Sequence, residues 1–158
     1  MLHTITLVLA TITTGLIAGL FYGFTICVML ALRQAGDRTF IEVMQRINTS
    51  IQNGWFALAF LGAPVFAVIA MVAELRSGNG IALEVAAGFA LYVLQLVITF
   101  GVNIPLNNRL DAAGSPDGIA DPAAVRRGFE PRWVRWNTIR GLVTLASFAC
   151  LSWGLLSA

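Results

Sequence analysis

The stretch TITLVLATITTGLIAGLFYGFTICVMLAL, residues 4–32, contains no charged side chain. An α-helix needs roughly 20 mainly apolar residues to cross the hydrocarbon core of a bilayer. In that environment every backbone amide and carbonyl must be hydrogen-bonded within the protein, and a helix achieves this inside one segment. The stretch therefore predicts a membrane-spanning helix, and the rest of the chain repeats the pattern.

Three more apolar runs of similar length follow, at residues 51–73, 81–104 and 136–158. Pro64 lies within the second run, and a membrane helix tolerates proline when neighbouring groups satisfy the freed carbonyl. Pro105 directly follows the third run, and we expect that span to end there. The sequence thus predicts a single domain, residues 1–158, that crosses the bilayer four times.

The composition supports this interpretation and excludes other classes. Hydrophobic residues make up 58% of the chain and charged residues only 11%, whereas soluble domains carry about 25% charged residues. The net charge of +2 is too small to indicate a nucleic-acid partner. We expect the outer surface to contact membrane lipid instead.

The ten basic residues are all arginines and are unevenly distributed. Arg76 alone lies between the second and third spans. The remaining nine lie in the other two connections or at the start of the fourth span: Arg33, Arg38, Arg46, Arg109, Arg126, Arg127, Arg132, Arg135 and Arg140. The positive-inside rule places arginine-rich connections in the cytoplasm. We therefore expect a multi-pass cell-membrane protein with its N- and C-termini outside.

Two connecting segments, residues 37–50 and 121–135, have helical patterns of their own. The first places Phe40 and Met44 on one face of a helix. The second begins with an Asp-Pro helix-entry signal and contains Pro131, which we expect to interrupt it. The predicted fold class is all-α: a membrane four-helix bundle with short interfacial helices on the cytoplasmic side.

Small residues recur every fourth position in the first span, at Gly15, Gly19 and Gly23. Glycines with this spacing let two membrane helices approach closely. We favour packing within one four-helix bundle, and association of two copies into a homo-oligomer through the first span is the alternative.

Polar side chains gather near the predicted cytoplasmic ends of the spans. In the third span, Gln95, Thr99, Asn103 and Asn107 recur every four residues. This spacing places the first three on one helix face, and we expect Pro105 to bend the last away. Polar groups at membrane depth are costly unless they face the protein interior or water, so we expect a shared pocket. The candidate catalytic residues are Asn103, Asn137 and Arg140. The candidate substrate-binding residues are Tyr22, Gln45, Asn48, Thr99, Asn107, Trp133 and Trp136.

These residues allow two interpretations. Amides can orient the carbonyl and hydroxyl groups of a substrate, and Arg140 can stabilise a developing anion. Alternatively, the amides bond helix to helix, and the tryptophans anchor the protein at the headgroups. His3 is the single histidine and has no neighbouring ligand in the sequence, so we predict no metal site.

Three motifs resemble those of the DUF1772 family, the anthrone oxygenase-like membrane proteins. They are MQRIN at residues 44–48, NIPLNNRL at 103–110 and FEPRWVRWNTIR at 129–140. The resemblance implies a four-span fold. It also implies oxidation of an anthrone, a flat lipophilic aromatic small molecule, to an anthraquinone by dioxygen without metal, flavin or other cofactor. The positions that it carries as candidates are Gln45, Asn48, Asn103, Asn107, Trp136, Asn137 and Arg140.

Two rival functions remain open from the sequence. A non-catalytic binding or scaffold subunit would use the amides structurally. A small-molecule transporter is disfavoured, because no span carries a carboxylate near its centre. For the oxygenase, Tyr22, Glu42 and Glu130 are the remaining choices of general base.

Overall fold

A computed structural model describes residues 2–78 and 82–157 of the chain. Four of its helices are long and apolar enough to cross a membrane: α1 (Leu2–Arg33), α3 (Gly54–Arg76), α4 (Leu83–Ala112) and α5 (Pro122–Ser157). The shorter α2 (Asp37–Ser50) connects α1 to α3, and a 3-10 turn (Pro116–Gly118) precedes α5. No strand occurs in the described residues. The predicted all-α membrane bundle is confirmed.

The four long helices form a closed ring in which α1 packs against α3 and α5, and α4 packs against α5 and α3. Buried alanines of α3, Ala63, Ala67 and Ala70, bring its backbone close to α1. Near the chain ends, the core joins Leu7 and Leu151 of α1 and α5. At the opposite end, α2 covers the bundle with Phe40, Ile41 and Met44.

Both arginine-rich connections lie at the same end of the bundle. Arg38 of α2 donates to the backbone carbonyls of Pro116 and Ile119 in the other connection. His3 and Glu74 are 3.7 Å apart at the far end. The charge asymmetry read from the sequence is therefore also an asymmetry between the two ends of the fold.

The third spanning helix does not end at Pro105, contrary to the prediction. It widens into a π-helical turn at Thr99–Asn103 and continues as an α-helix to Ala112. Pro105 lies just after this π-helical turn, so the proline, which has no N–H to donate, stands where the hydrogen-bond register of the helix changes. A similar π-helical turn, Phe24–Val28, interrupts α1.

The prediction that Pro131 interrupts a separate second interfacial helix is also wrong, because α5 runs unbroken from Pro122 to Ser157. Proline removes one hydrogen bond, that to the carbonyl four residues earlier. Here that residue is Arg127, and both Arg127 and Pro131 are exposed. Water can therefore satisfy the freed carbonyl.

The remaining boundaries differ from the prediction in detail. The second spanning helix begins at Gly54 rather than residue 51, because Asn53 accepts a hydrogen bond from the Phe56 amide and caps it. The predicted start of the third span at Ile81 and the predicted end of the fourth at Ala158 lie outside the described residues.

The glycine stripe of α1 divides into two parts. A side chain at Gly15 would meet the Phe148 ring of α5 at 2.9 Å, whereas Gly19 and Gly23 face open space. The tightest glycine contact lies elsewhere, where a Cβ on Gly88 of α4 would come within 2.8 Å of Leu151. Packing within the bundle thus uses Gly15, and association of two copies through Gly19 and Gly23 stays a prediction.

Candidate functional site

A cavity of about 360 Å³ opens at the arginine-rich end, between all five helices. Cavities that hold small organic ligands measure about 300–1,000 Å³. Its apolar wall includes the rings of Phe21, Phe24, Phe56, Phe60 and Trp133. Its polar wall includes the side chains of Asn48, Thr99, Asn107, Asp111 and Arg140. A mostly apolar ligand that contains aromatic rings and a few polar groups fits such a lining.

Arg140 of α5 is the charged residue in the interior of this site. Its side chain is only 8% exposed, and among the described residues no carboxylate lies within 4.0 Å of it. A buried charge is costly unless it is paired. Its guanidinium carbon instead lies 4.0 Å from the centroid of the Phe21 ring and 5.6 Å from that of Trp133. The cation is therefore free to attract an anion in the cavity.

Asn137 fixes the orientation of Arg140. Its Oδ1 accepts hydrogen bonds from Nε and Nη2 of Arg140, at 3.2 and 2.9 Å. Its Nδ2 donates to the carbonyl of Phe21 and the hydroxyl of Thr25, both at 3.1 Å. Asn137 is not on the cavity wall; it holds the guanidinium between α5 and α1.

The polar stripe of α4 continues past Pro105 to Asn107, because the helix itself continues there. Thr99 donates to Gln95 Oε1 at 3.1 Å and receives a long contact of 3.4 Å from Arg140 Nη1. Asn107 accepts a hydrogen bond of 2.7 Å from the indole Nε1 of Trp133. Thr99 and Asn107 both line the cavity.

Asn103 lies on the same stripe but one layer behind the wall. It is fully buried and its Nδ2 is 3.5 Å from the carbonyl of Trp133. Its Oδ1 has no hydrogen-bond partner among the described residues. Buried polar atoms in proteins are usually hydrogen-bonded, so this atom is an unused acceptor directly behind the cavity wall.

Comparison with protein families identifies the chain. The family model described as anthrone oxygenase matches residues 40–150. The chain belongs to the anthrone oxygenase family. The match extends from α2 into α5 and includes every polar residue of the cavity wall. Among curated proteins and solved structures, no match is found.

The anthrone oxygenase-like motifs contribute to the site unequally. Asn48, Asn107 and Arg140 line the cavity, whereas Asn103 and Asn137 support it from behind. Gln45 lies outside, because its Nε2 donates to the carbonyls of Leu110 and Gly114 at 2.9 and 3.0 Å. Gln45 ties α2 to the end of α4.

Trp136 and Tyr22 are likewise not brought to the cavity. Trp136 directly precedes the buried Asn137, and adjacent helical residues point about 100° apart. Tyr22 follows Phe21 in the same way; it is 61% exposed and lines a depression on the outer side of α1 and α5. The two carboxylates named as possible general bases do not line the cavity either. Glu42 pairs with Arg46 and Glu130 pairs with Arg126, each at 2.7 Å.

Asp111 is the acidic residue of the cavity wall, and the sequence analysis did not include it among the candidates. It lines the wall and accepts a hydrogen bond of 3.1 Å from Asn48 Nδ2. The signal was present, because Asp111 is the next position after Asn107 on the four-residue stripe. The expected end of the helix at Pro105 had cut that stripe short.

Proposed function

We propose that this member of the anthrone oxygenase family oxidises a flat, lipophilic aromatic ketone of the anthrone class with dioxygen. One observation carries the proposal: a buried guanidinium, Arg140, that faces an aromatic-lined cavity without a carboxylate partner. A site that only tied helices together would not require an unneutralised cation, whose burial is costly.

The aromatic wall supports binding of such a substrate. Offset-stacked and edge-to-face ring pairs are favourable beyond the apolar area they bury. Phe21, Phe24 and Trp133 offer ring surfaces on one side, and Phe56 and Phe60 stack on each other with centroids 5.0 Å apart. A tricyclic ketone would partition into lipid and would reach the cavity mouth from the membrane interface.

Arg140 would act on the charge that forms in the reaction. Loss of a proton from the methylene carbon opposite the keto group gives an enolate, whose negative charge is largely on oxygen. A preorganised cation in a water-poor site stabilises such a charge strongly. The guanidinium held by Asn137 would bind this oxygen, and the proton would leave to water at the cavity mouth.

The electron-rich enolate then reacts with dioxygen at its carbon atom. One C–O bond forms and gives a hydroperoxide, which takes up a proton. Loss of the second proton from that carbon breaks the O–O bond and releases water. One dioxygen thus converts the methylene group into a carbonyl and yields one water. The protein's part is to bind, orient and stabilise charge.

Oxygen uptake by the purified protein tests this function. With emodin anthrone we expect uptake above the spontaneous rate, strongly reduced in Arg140→Ala and Asn103→Ala. Tyr22→Phe is the matched control, because Tyr22 lies outside the cavity, and it should keep the wild-type rate. Uptake at the spontaneous rate with several anthrones would contradict the proposal.

A non-catalytic binding or scaffold subunit is the second candidate. The bonds of Asn137 across to α1 favour it, because they connect two spanning helices. In that case Asn137→Ala would lower the melting temperature in detergent, and a partner protein would co-purify. A partner-free protein that consumes oxygen would exclude it.

The distribution of arginines indicates the orientation of the protein in the membrane. We propose that the arginine-rich end, and with it the cavity mouth, faces the cytoplasm of the cell membrane. Both chain termini then lie outside, as the positive-inside rule requires.

A further inference from the structure

The guanidinium of Arg140 has more N–H groups than its protein partners use. The edge formed by Nε and Nη2 donates to Asn137 Oδ1, at 3.2 and 2.9 Å. Nη1 is 3.4 Å from the Thr99 hydroxyl, which is longer than an ordinary N–H···O bond. Arg140 makes no other side-chain hydrogen bond among the described residues. The edge between Nη1 and Nη2 is therefore the open edge of the guanidinium.

The open edge is the part of Arg140 that adjoins the cavity. Arg140 and Thr99 line the cavity, whereas Asn137, which occupies the other edge, lies off the wall. The rings of Phe21 and Trp133, which belong to the wall, lie 4.0 and 5.6 Å from the guanidinium carbon. Because the guanidinium is planar and its N–H groups form a rigid fork, the bonds to Asn137 also fix the direction of the open edge.

We propose that this open edge binds two neighbouring oxygen atoms of one ligand and thereby selects aromatic ketones with a hydroxyl group beside the keto group, at the peri position. The inference rests on the proposed function, since the keto oxygen is the group assigned to Arg140. A guanidinium fork matches the two closely spaced oxygens of a carboxylate. A keto oxygen and a peri hydroxyl that share a hydrogen bond are similarly close, at about 2.5 Å. A ring-fused ketone presents both oxygens in its own plane, so its rings can lie against the aromatic wall.

The peri hydroxyl leaves both oxygens able to accept hydrogen bonds from Arg140. Its proton bonds to the keto oxygen within the ligand, and lone pairs remain on each oxygen. When the enolate forms, its charge is partly carried by this internal hydrogen bond, and the fork stabilises both atoms. A ligand without the second oxygen leaves a buried N–H unpaired, which is costly. We expect about a tenfold preference for the peri-hydroxylated ligand.

Two isomers of hydroxyanthraquinone test the selection without requiring turnover. In 1-hydroxyanthraquinone the hydroxyl lies beside a keto group, and in 2-hydroxyanthraquinone it lies one ring position farther away. Trp133 lines the cavity, so the Kd of each isomer can be measured by quenching of tryptophan fluorescence. Mildly acidic buffer keeps both hydroxyls neutral. Wild-type protein should bind the first isomer about tenfold more tightly.

The ratio of the two Kd values is compared among variants, because the internal hydrogen bond also makes the first isomer more apolar. Arg140→Met removes the fork, and its ratio reports this difference in apolarity alone. Arg140→Lys keeps the charge but not the planar fork, so its ratio should fall toward that of Arg140→Met. Arg135 of the same helix is exposed and lies outside the cavity, and Arg135→Ala should keep the wild-type ratio.

The outcomes distinguish this inference from the proposed function. Equal binding of the two isomers by wild-type protein, or an unchanged ratio in folded Arg140→Lys or Arg140→Met, would overturn the recognition of two oxygens even if oxygen uptake is observed. A ratio that depends on the fork, without any oxygen uptake, would support the recognition and overturn the oxygenase. Binding of neither isomer would overturn the recognition, and oxygen uptake would still decide the proposed function.

Discussion

The guanidinium carbon of Arg140 lies 4.0 Å from the centroid of the Phe21 ring, so the cation of α5 is held by an aromatic face of α1. Cation–π contact of this kind stabilises a charge without neutralising it. A carboxylate partner would cancel the positive potential, and among the described residues none is near enough to do so. The arrangement leaves Arg140 ready to bind an anion.

Replacement of Arg140 by methionine should preserve or raise thermal stability. A buried charge costs desolvation, and removing that cost offsets the loss of the hydrogen bonds from Arg140 to Asn137 Oδ1. The melting temperature of Arg140→Met in detergent should therefore be no lower than that of wild-type protein. Arg140→Lys serves as the control, because it keeps a buried positive charge but replaces the planar guanidinium with an ammonium group. A large decrease for the methionine variant would assign Arg140 a structural role.

Arg126 should contribute strongly to folding, in contrast to Arg140. It donates to the carbonyls of Leu32, Arg33 and Ala35 at the end of α1 and pairs with Asp37 and Glu130. Hydrogen bonds to charged groups each contribute about 1.5–3 kcal/mol.

Arg126→Ala should thus destabilise the protein by at least about 2 kcal/mol, measured by unfolding in detergent. The neighbouring Arg127 is exposed, and Arg127→Ala should have no measurable effect. Equal stability of the two variants would contradict this account of the end of α1.

Gly88 should be the glycine most sensitive to substitution. A Cβ there would approach Leu151 Cγ at 2.8 Å and the Ser147 carbonyl at 3.3 Å, and overpacking of this kind costs about 1–3 kcal/mol. Gly88→Ala should lower the melting temperature. Gly19→Ala faces open space and should leave it unchanged or raise it. A more sensitive Gly19 would indicate contact between two copies.

Cysteine labelling tests the orientation in the membrane. Ser77 and Ser115 are exposed at opposite ends of the bundle. In a variant without Cys27 and Cys150, a membrane-impermeant maleimide should label Ser77→Cys in intact cells. It should label Ser115→Cys only after lysis. The reverse pattern would contradict the assignment of the arginine-rich end to the cytoplasm.

The spans could be predicted because long apolar runs such as residues 4–32 allow few alternatives to a membrane helix. The polar stripe of α4 was equally visible, since its spacing is that of a helix face. Its continuation to Asp111 was hidden, because a π-helical turn before Pro105 has no simple sequence signal. Likewise, Phe21 is one apolar residue among many, and its place under Arg140 depends on packing between α1 and α5.

Three candidates lie outside the cavity for a related reason. Tyr22, Gln45 and Trp136 are close in sequence to residues of the cavity wall. The rotation of each helix about its axis, however, decides which side chain faces the interior. Sequence position fixes that rotation only where a clear polar stripe exists, as on α4. Where the surroundings are uniformly apolar, as on α1, the facing residue follows from tertiary packing.

Initial rates of oxygen uptake with emodin anthrone, for wild-type protein and Arg140→Met side by side, test the central claim most directly. The account predicts a rate proportional to wild-type protein concentration, one dioxygen consumed per anthrone, and a decrease of about 10²–10³-fold in the folded variant. Equal rates for the two proteins, or a wild-type rate no higher than the spontaneous oxidation, would contradict it.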